Sequence, residues 1–197
     1  MNHDFIWNLP GLLVAIIVHE ISHGYAAYLL GDDTALRAGR LSPNPLKHID
    51  LTGFIFLLIF KFGWAKPVPI NSNNFKDRRR GIILVSLAGP FSNMILALIL
   101  GFIMTSGIIT NRIIYNILMI MLWYNIMLGT FNLLPFPPLD GSKILASLLP
   151  AKYEYMFYRY ERYLYLILIF LIITNTIDNI LGPLIRLNLS LLIKIIN

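Results

Sequence analysis

The chain contains no cysteine, which excludes disulfide bonds and thiolate ligands, so any metal ion must be held by histidine or carboxylate side chains. Charged residues are also scarce, at 13% of 197 residues, which is about half the share found in soluble domains. Hydrophobic residues make up 57% of the chain, and the mean hydropathy is +0.69. This composition predicts an all-α multi-pass membrane protein that lies in the lipid bilayer.

Basic residues are unevenly distributed along the chain. The formal net charge is +6, but the positive residues lie beside apolar runs and form no separate basic domain, so we predict no nucleic-acid partner. Nine lysines and arginines lie in 31–80 and four in 140–162, against Arg112 alone between the second and third apolar runs. Because cytoplasmic loops carry the excess of positive charge, this pattern predicts a protein of the cytoplasmic membrane with its N-terminus outside.

Long apolar runs predict about four to five transmembrane helices. These runs lie at about 5–30, 82–108, 113–134 and 163–174, with a last apolar piece at 180–196 that Pro183 is expected to break. We expect residues 1–149 to form a catalytic core and residues 150–197 to form C-terminal membrane segments.

The stretch between the first two full spans has a different character. Residues 53–60 are intensely apolar but too short to cross a bilayer, and Pro67 and Pro69 forbid a helix in 63–71. Together they predict a re-entrant hairpin or loop, and Pro67 and Pro69 are candidates for positioning a substrate strand by β-addition. Asn93, a polar residue within the second span, is expected to form an interhelical hydrogen bond or to help position the substrate.

The first apolar run contains the pattern His19-Glu20-Ile21-Ser22-His23. Residues four apart share one face of a helix, so His19 and His23 can present ring nitrogens to one metal ion. Glu20 can then act as general base on a water molecule at that metal. Hydrogen bonds to neighbouring helices would explain one buried histidine, but not two at this spacing with a glutamate between them. The pattern therefore predicts a metal site. Because the motif lies nearer the C-terminal end of the first span, which the charge distribution puts on the cytoplasmic side, the site is expected toward the cytoplasmic face of the membrane.

A catalytic zinc ion needs a third protein ligand. Asp140 is favoured because it follows a proline-rich break at the end of a span and precedes a glycine, whereas most other acids lie in charged or terminal segments. An ordinary Asp-Gly turn is the alternative explanation of Asp140. His48 and Asp50 remain candidates for the third ligand.

Four segments of the chain resemble the site-2 protease family of intramembrane zinc metalloproteases, in its small bacterial form. They are the histidine motif at 19–23, Gly-Trp-Ala-Lys-Pro-Val-Pro-Ile-Asn at 63–71, Ala-Gly-Pro-Phe-Ser-Asn at 88–93 and Asn-Leu-Leu-Pro-Phe-Pro-Pro-Leu-Asp-Gly at 132–141. The likeness extends over about 9–149. One departure is the sequence Asp-Leu-Thr-Gly at 50–53, where the family often has Asp-Pro before the glycine, and this departure concerns the geometry of the loop.

The resemblance implies roles for individual residues. His19, His23 and Asp140 would bind one zinc ion per chain, Glu20 would be the general base, and Asn132 would bind the substrate or stabilise the oxyanion. The partners it implies are transmembrane protein substrates, cleaved within or next to their helices. Association of several identical chains is left open.

Two other functions fit parts of the pattern less well. A membrane-anchored zinc protease that cleaves soluble segments would be expected to carry a soluble catalytic domain, for which the chain leaves no room. A catalytically silent metal-binding protein or chaperone-like relative would be expected to have lost Glu20 or a ligand, whereas His19, Glu20, His23 and Asp140 are all present.

Overall fold

The computed structural model describes residues 3–60, 63 and 65–196, and these residues form nine α-helices and no named strand. The helices are α1 (His3–Leu29), α2 (Thr34–Arg37), α3 (Leu51–Phe60), α4 (Arg78–Thr105), α5 (Arg112–Asn132), α6 (Asp140–Leu148), α7 (Ala151–Arg159), α8 (Glu161–Ile173) and α9 (Ile177–Ile196). One short 3-10 turn, Pro45–Lys47, lies between α2 and α3, and a second, Ser72–Asn74, lies between α3 and α4. The predicted all-α fold is confirmed.

Four of the described helices are long and apolar enough to cross a membrane: α1 from Asn8 onward, α4, α5 and α9. The segment expected to span at 163–174 is α8, whose 13 residues extend only about 20 Å, less than the roughly 30 Å of a bilayer core. The break expected at Pro183 is absent, because α9 continues through this proline. Leu181 and Ile185, on either side of Pro183, are both buried in one apolar cluster, which holds the two halves of α9 in line.

Helix α4 is the central element of the fold and packs against α1, α5, α6 and α9. One apolar cluster fills the space between α4, α5 and α9, with Ala97, Ile126 and Ile185 among its buried members. A smaller cluster of Ala27, Phe75 and Val85 joins the end of α1 to the start of α4. The motif-bearing helix α1 is therefore held against α4 along its second half.

The end of α1 is a Schellman motif. The amide of Gly31 donates to the carbonyl of Tyr28 at 3.0 Å, and the amide of Asp32 donates to the carbonyl of Ala27 at 2.9 Å. Gly31 has φ +101°, a conformation that favours glycine. The turn directs Asp32 back into the protein, where it is 0% exposed.

The connection between α1 and α4 turns back on itself around α3, and its entry into the membrane stays a prediction. Ile49 and Ala65 form an antiparallel bridge, and the amide of Lys66 donates to the carbonyl of His48 at 2.9 Å. Residues 65–71 are extended, as their prolines predict, and Trp64 lies outside the described residues.

The proline-rich stretch after α5 folds into a tight turn that leads directly into α6. Gly141 lies so close to the carbonyls of Leu133 and Leu134 that a Cβ atom at this position would overlap them. The Asp-Gly pair is therefore the start of a helix whose first residue, Asp140, is buried against the neighbouring helices.

Candidate metal centre and active site

Three candidate ligands meet in the interior of the helix bundle. His19 and His23 from α1 and Asp140 from α6 are 5%, 6% and 4% exposed. The Nε2 atoms of the two histidines and the Oδ2 atom of Asp140 form a triangle in which each separation is 3.0 Å. Among the described residues, these three form a group whose ligand atoms lie close enough together to bind one metal ion.

The hydrogen bonds of Asn93 determine the orientation of His19. The Nδ2 atom of Asn93 donates to the carbonyl of Ala15 at 2.9 Å and to Oδ1 of Asn125 at 2.8 Å. A carbonyl can only accept, so the Oδ1 atom of Asn93 must be the atom that lies 2.7 Å from Nδ1 of His19. His19 therefore carries a proton on Nδ1 and directs Nε2 toward the other two ligands.

A backbone carbonyl determines the orientation of His23 in the same way. Nδ1 of His23 lies 2.6 Å from the carbonyl oxygen of Val85, so this nitrogen is protonated and donates. In their neutral forms both imidazoles then direct Nε2 lone pairs at each other and at the carboxylate of Asp140. Three acceptors at this spacing repel one another unless a cation lies among them, so the donor set fits a divalent metal ion.

The distances also fit zinc. Zinc bonds of about 2.0–2.2 Å in a tetrahedral site put ligand atoms about 3.3 Å apart, close to the observed 3.0 Å. Three protein ligands from histidine and carboxylate, without a fourth in this group, match the ligand set of a catalytic zinc site.

Gly89 of α4 provides the space for the two imidazole rings. A Cβ atom at this position would lie 2.5 Å from Nε2 of His23 and 2.6 Å from Cε1 of both histidines. The backbone of α4 therefore forms one wall of the candidate metal site, and any larger side chain would occupy it.

Glu20 contacts the extended segment 65–71. Its Oε2 atom accepts a hydrogen bond of 2.8 Å from the amide of Val68, and Glu20 is partly exposed while the histidines on either side are buried. Val68 itself is 6% exposed. The carboxylate therefore lies between α1 and residues 65–71, which we call the covering segment, and the backbone of this segment holds one carboxylate oxygen.

The sequence comparisons agree with this arrangement. YwhC of Bacillus subtilis (strain 168), provisionally named a zinc metalloprotease, is 37% identical over 194 residues, which cover 93% of this chain and 88% of YwhC. The profile of peptidase family M50 matches residues 101–174. The chain belongs to this family. Zinc metalloprotease MJ0392 of Methanocaldococcus jannaschii is 26% identical over 158 residues, which cover 79% of this chain and 39% of that protein. No solved structure matches the chain significantly.

The resemblance drawn from the sequence motifs is thereby confirmed, and the protein is a zinc metalloprotease of family M50 with apolar helices that can cross a membrane. A third relative, Rip2 of Mycolicibacterium smegmatis, also provisionally named a zinc metalloprotease, is 28% identical over 181 residues, which cover 88% of this chain and 69% of Rip2.

The other candidate ligands lie elsewhere in the M50 protease. His48 is 1% exposed, and its Nε2 atom donates to the carbonyl of Ser42 at 2.8 Å. Asp50 accepts from the amide of Gly53 at 2.8 Å at the start of α3. Neither residue belongs to the triangle of ligand atoms around Asp140.

The predicted substrate-contacting residues have different surroundings. Asn132 is the last residue of α5, and its side-chain Nδ2 donates to the carbonyl of Leu128 in its own helix at 3.0 Å. Pro67 is exposed and Pro69 is half-buried, on either side of Val68. Asn93 is 0% exposed and contacts His19, so it forms the interhelical hydrogen bonds that the sequence predicts.

The roles of Val85, Gly89 and Asn125 could not be predicted from the sequence alone. Asn125 could have been noticed as a second asparagine in an apolar span, but its pairing with Asn93 depends on how α4 and α5 pack. Val85 acts through its backbone, which no side-chain pattern reveals.

Asp32 attaches the covering segment to the end of α1. Its carboxylate accepts hydrogen bonds from the amide of Asn71 and the side chain of Asn74, both at 2.7 Å, and from Thr34. Burial raises the pKa of Asp32, but these hydrogen bonds outweigh that effect and keep the pKa below its ordinary value.

Asp32→Asn is expected to destabilise the protein by about 2 kcal/mol, because an amide NH2 would face a buried N–H donor. Thermal unfolding in detergent measures the loss. The contribution of Asp32 to the free energy of unfolding should be present in full above about pH 4. It should disappear as the pH falls through the lowered pKa of Asp32, because protonation in the folded state removes the charge that the hydrogen bonds stabilise. The control is Asp33→Asn, which removes a surface pair with Arg37 and should change stability little. Equal losses in the two variants would contradict the role of Asp32.

Proposed function

We propose that this M50 protease is an intramembrane enzyme that hydrolyses peptide bonds within or next to transmembrane helices of membrane protein substrates. The observation that carries the proposal is the buried triangle of His19, His23 and Asp140, with two of its members inside a candidate membrane span. One zinc ion per chain would be held by these three side chains.

The depth of the site supports cleavage inside the membrane. His19 lies ten residues before Leu29, the last residue of α1, which is about 15 Å along the helix. A hydrocarbon core is about 30 Å thick, so a substrate bond must enter the bilayer region to reach this site. With the charge distribution of the loops, we infer a protein of the cytoplasmic membrane whose N-terminus is outside and whose site opens toward the cytoplasm.

The chemistry would be divided between the metal ion and Glu20. Zinc, when bound, supplies a Lewis acid that lowers the pKa of a coordinated water molecule and polarises the scissile carbonyl. Glu20 would accept the proton of the attacking water and return it to the leaving amine. The amide of Val68 holds one carboxylate oxygen, which fixes the direction of the carboxylate relative to α1. Asn132, at the end of α5, is the candidate for binding the substrate carbonyl or its oxyanion.

The covering segment would bind the unwound part of the substrate. A transmembrane helix keeps its carbonyls bonded internally, so it must unwind before water can attack. Residues 65–71 are extended and lie over Glu20, with Pro67 exposed, which supports pairing with an unwound strand by β-addition.

The proposal is tested by cleavage of a model single-span substrate with purified protein in detergent. Zinc-loaded protein should cut it, chelation should abolish the cut, and added zinc should restore it. Mass spectrometry should locate the cut within or next to the apolar span. Cleavage confined to soluble segments far from the span would contradict the intramembrane assignment, and zinc binding without cleavage of any substrate would favour a catalytically silent metal-binding protein.

Asp140→Asn is expected to weaken zinc binding about 100-fold, because the neutral amide is a poor ligand and removes the negative charge of the triangle. Competition with a chelator measures the dissociation constant. Asp50→Asn is the matched control and should bind zinc as the wild type does. If Asp140→Asn binds zinc with full affinity and Asp50→Asn does not, Asp50 rather than Asp140 would be the third ligand.

A further inference from the structure

Asn125 is a buried polar side chain that touches none of the candidate metal ligands. It lies in the middle of α5, an apolar helix, and is 0% exposed. Its Nδ2 atom donates to the carbonyl of Met121 at 2.8 Å, one turn earlier in the same helix. Its Oδ1 atom accepts from Nδ2 of Asn93 at 2.8 Å. A buried amide in an apolar helix is costly unless both of its ends are satisfied, as they are here.

The orientation of each group in this chain of hydrogen bonds determines the next. The carbonyl of Met121 can only accept, so the NH2 group of Asn125 must face it and the oxygen must face Asn93. This oxygen and the carbonyl of Ala15 take both N–H groups of Asn93, which leaves the oxygen of Asn93 for Nδ1 of His19. Three helices, α1, α4 and α5, thus contribute to one continuous polar connection.

We propose that Asn125 is a positioning residue of the metal centre. It acts through Asn93 to keep the proton of His19 on Nδ1, so that the Nε2 lone pair is available to the metal ion. The proposal rests on the proposed ligand role of His19.

The position of Asn125 in α5 gives this connection a second consequence. The same helix leads through the turn at 133–139 to Asp140, so the docking of α5 both delivers the third ligand and completes the orientation of the first. Zinc affinity should therefore depend on a side chain in α5 that never touches the ion.

The test compares variants of Asn125 with a control in the same helix. Asn125→Leu removes both hydrogen bonds, and Asn125→Thr keeps a bond to the Met121 carbonyl but is too short to reach Asn93. Asn125→Asp, as a neutral acid in this apolar setting, can keep both. Thr130→Val is the control, because Thr130 is also buried and its hydroxyl makes two hydrogen bonds that do not lead to His19. It donates to the Ile126 carbonyl at 2.7 Å and accepts from Nδ2 of Asn188 in α9 at 3.0 Å.

Two measurements are made on each variant in detergent: the zinc dissociation constant, by chelator competition, and the protonation of the His19 ring nitrogens in zinc-free protein, by nitrogen NMR. Asn125→Leu and Asn125→Thr should raise the dissociation constant about tenfold and increase the form with a proton on Nε2. Asn125→Asp and Thr130→Val should stay within about twofold of the wild type.

Wild-type zinc affinity and an unchanged His19 ring in Asn125→Thr would overturn the proposal. This variant repeats the hydroxyl-to-carbonyl bond that Thr130 already makes in α5, so we expect it to fold even where the leucine variant does not. If the wild type itself binds no zinc, the proposed function fails, whereas the distribution of the proton between the two nitrogens of His19 still tests the role of Asn125.

Discussion

Gly89→Ala is expected to yield a protein that folds but retains no zinc and cleaves no substrate. The added methyl group would lie 2.5–2.6 Å from atoms of both imidazole rings, well inside van der Waals contact. The rings cannot move aside, because Nδ1 of His19 is held by Asn93 and Nδ1 of His23 by the carbonyl of Val85. The methyl group therefore displaces the ligands or fills the space that the ion needs. Metal analysis of purified protein, together with cleavage of the single-span substrate, measures the effect.

Gly101→Ala is the matched control, because it makes the same change in the same helix. Gly101 is 12 residues further along α4, and its added methyl group would meet the flexible end of Ile196 in α9. This variant should keep its zinc and its activity. Zinc bound normally by Gly89→Ala would show that the metal lies on another side of the histidines.

Glu20→Gln is expected to lower kcat by about 10³ while zinc stays bound. Glutamine has nearly the same shape, and its carbonyl oxygen can still accept from the amide of Val68, so the covering segment should remain in place. It cannot accept a proton from water, and the lost activity therefore reports the general base. Parallel measurements of kcat and zinc content separate this role from a ligand role.

The control for this substitution is Glu161→Gln, an exposed glutamate in the first turn of α8. It should leave kcat unchanged. Full activity of Glu20→Gln would move the general base to another group, and loss of zinc would instead make Glu20 a ligand.

Local spacing made the histidine pair predictable, whereas the third ligand needed tertiary information. His19 and His23 lie on one face because of the helical period alone, and both are found as the motif predicts. Asp140 lies 117 residues after His23 in the sequence. From the sequence alone, His48 and Asp50 were also candidates for the third ligand. In the structure Asp140 lies beside the histidine pair and is the candidate that the proposal adopts, because α6 packs against α4 beside α1.

The orientation of the ligands lay beyond the reach of the sequence for a different reason. The contacts of Gly89 and Val85 depend on the register between α1 and α4, and both act through the backbone rather than through a side chain. The four candidate spans among the described residues agree with the predicted four to five, but the bounds of the last two helices differ from the prediction. Apolar runs at 163–174 and 180–196 do not show that the first belongs to a 13-residue helix and the second to a 20-residue helix that continues through Pro183.

The separation of the ligands along the chain also orders the events of biosynthesis. His19 is made 121 residues before Asp140, which corresponds to a delay on the order of ten seconds at ordinary rates of translation. The partners of the histidine Nδ1 atoms, Val85 and Asn93, emerge between them, 62 and 74 residues after the histidines that they contact. The acceptors of both imidazoles are therefore synthesised with α4, before α6 and its carboxylate. If His19, His23 and Asp140 bind the metal ion as proposed, the full set of ligands exists only after α6 has been made.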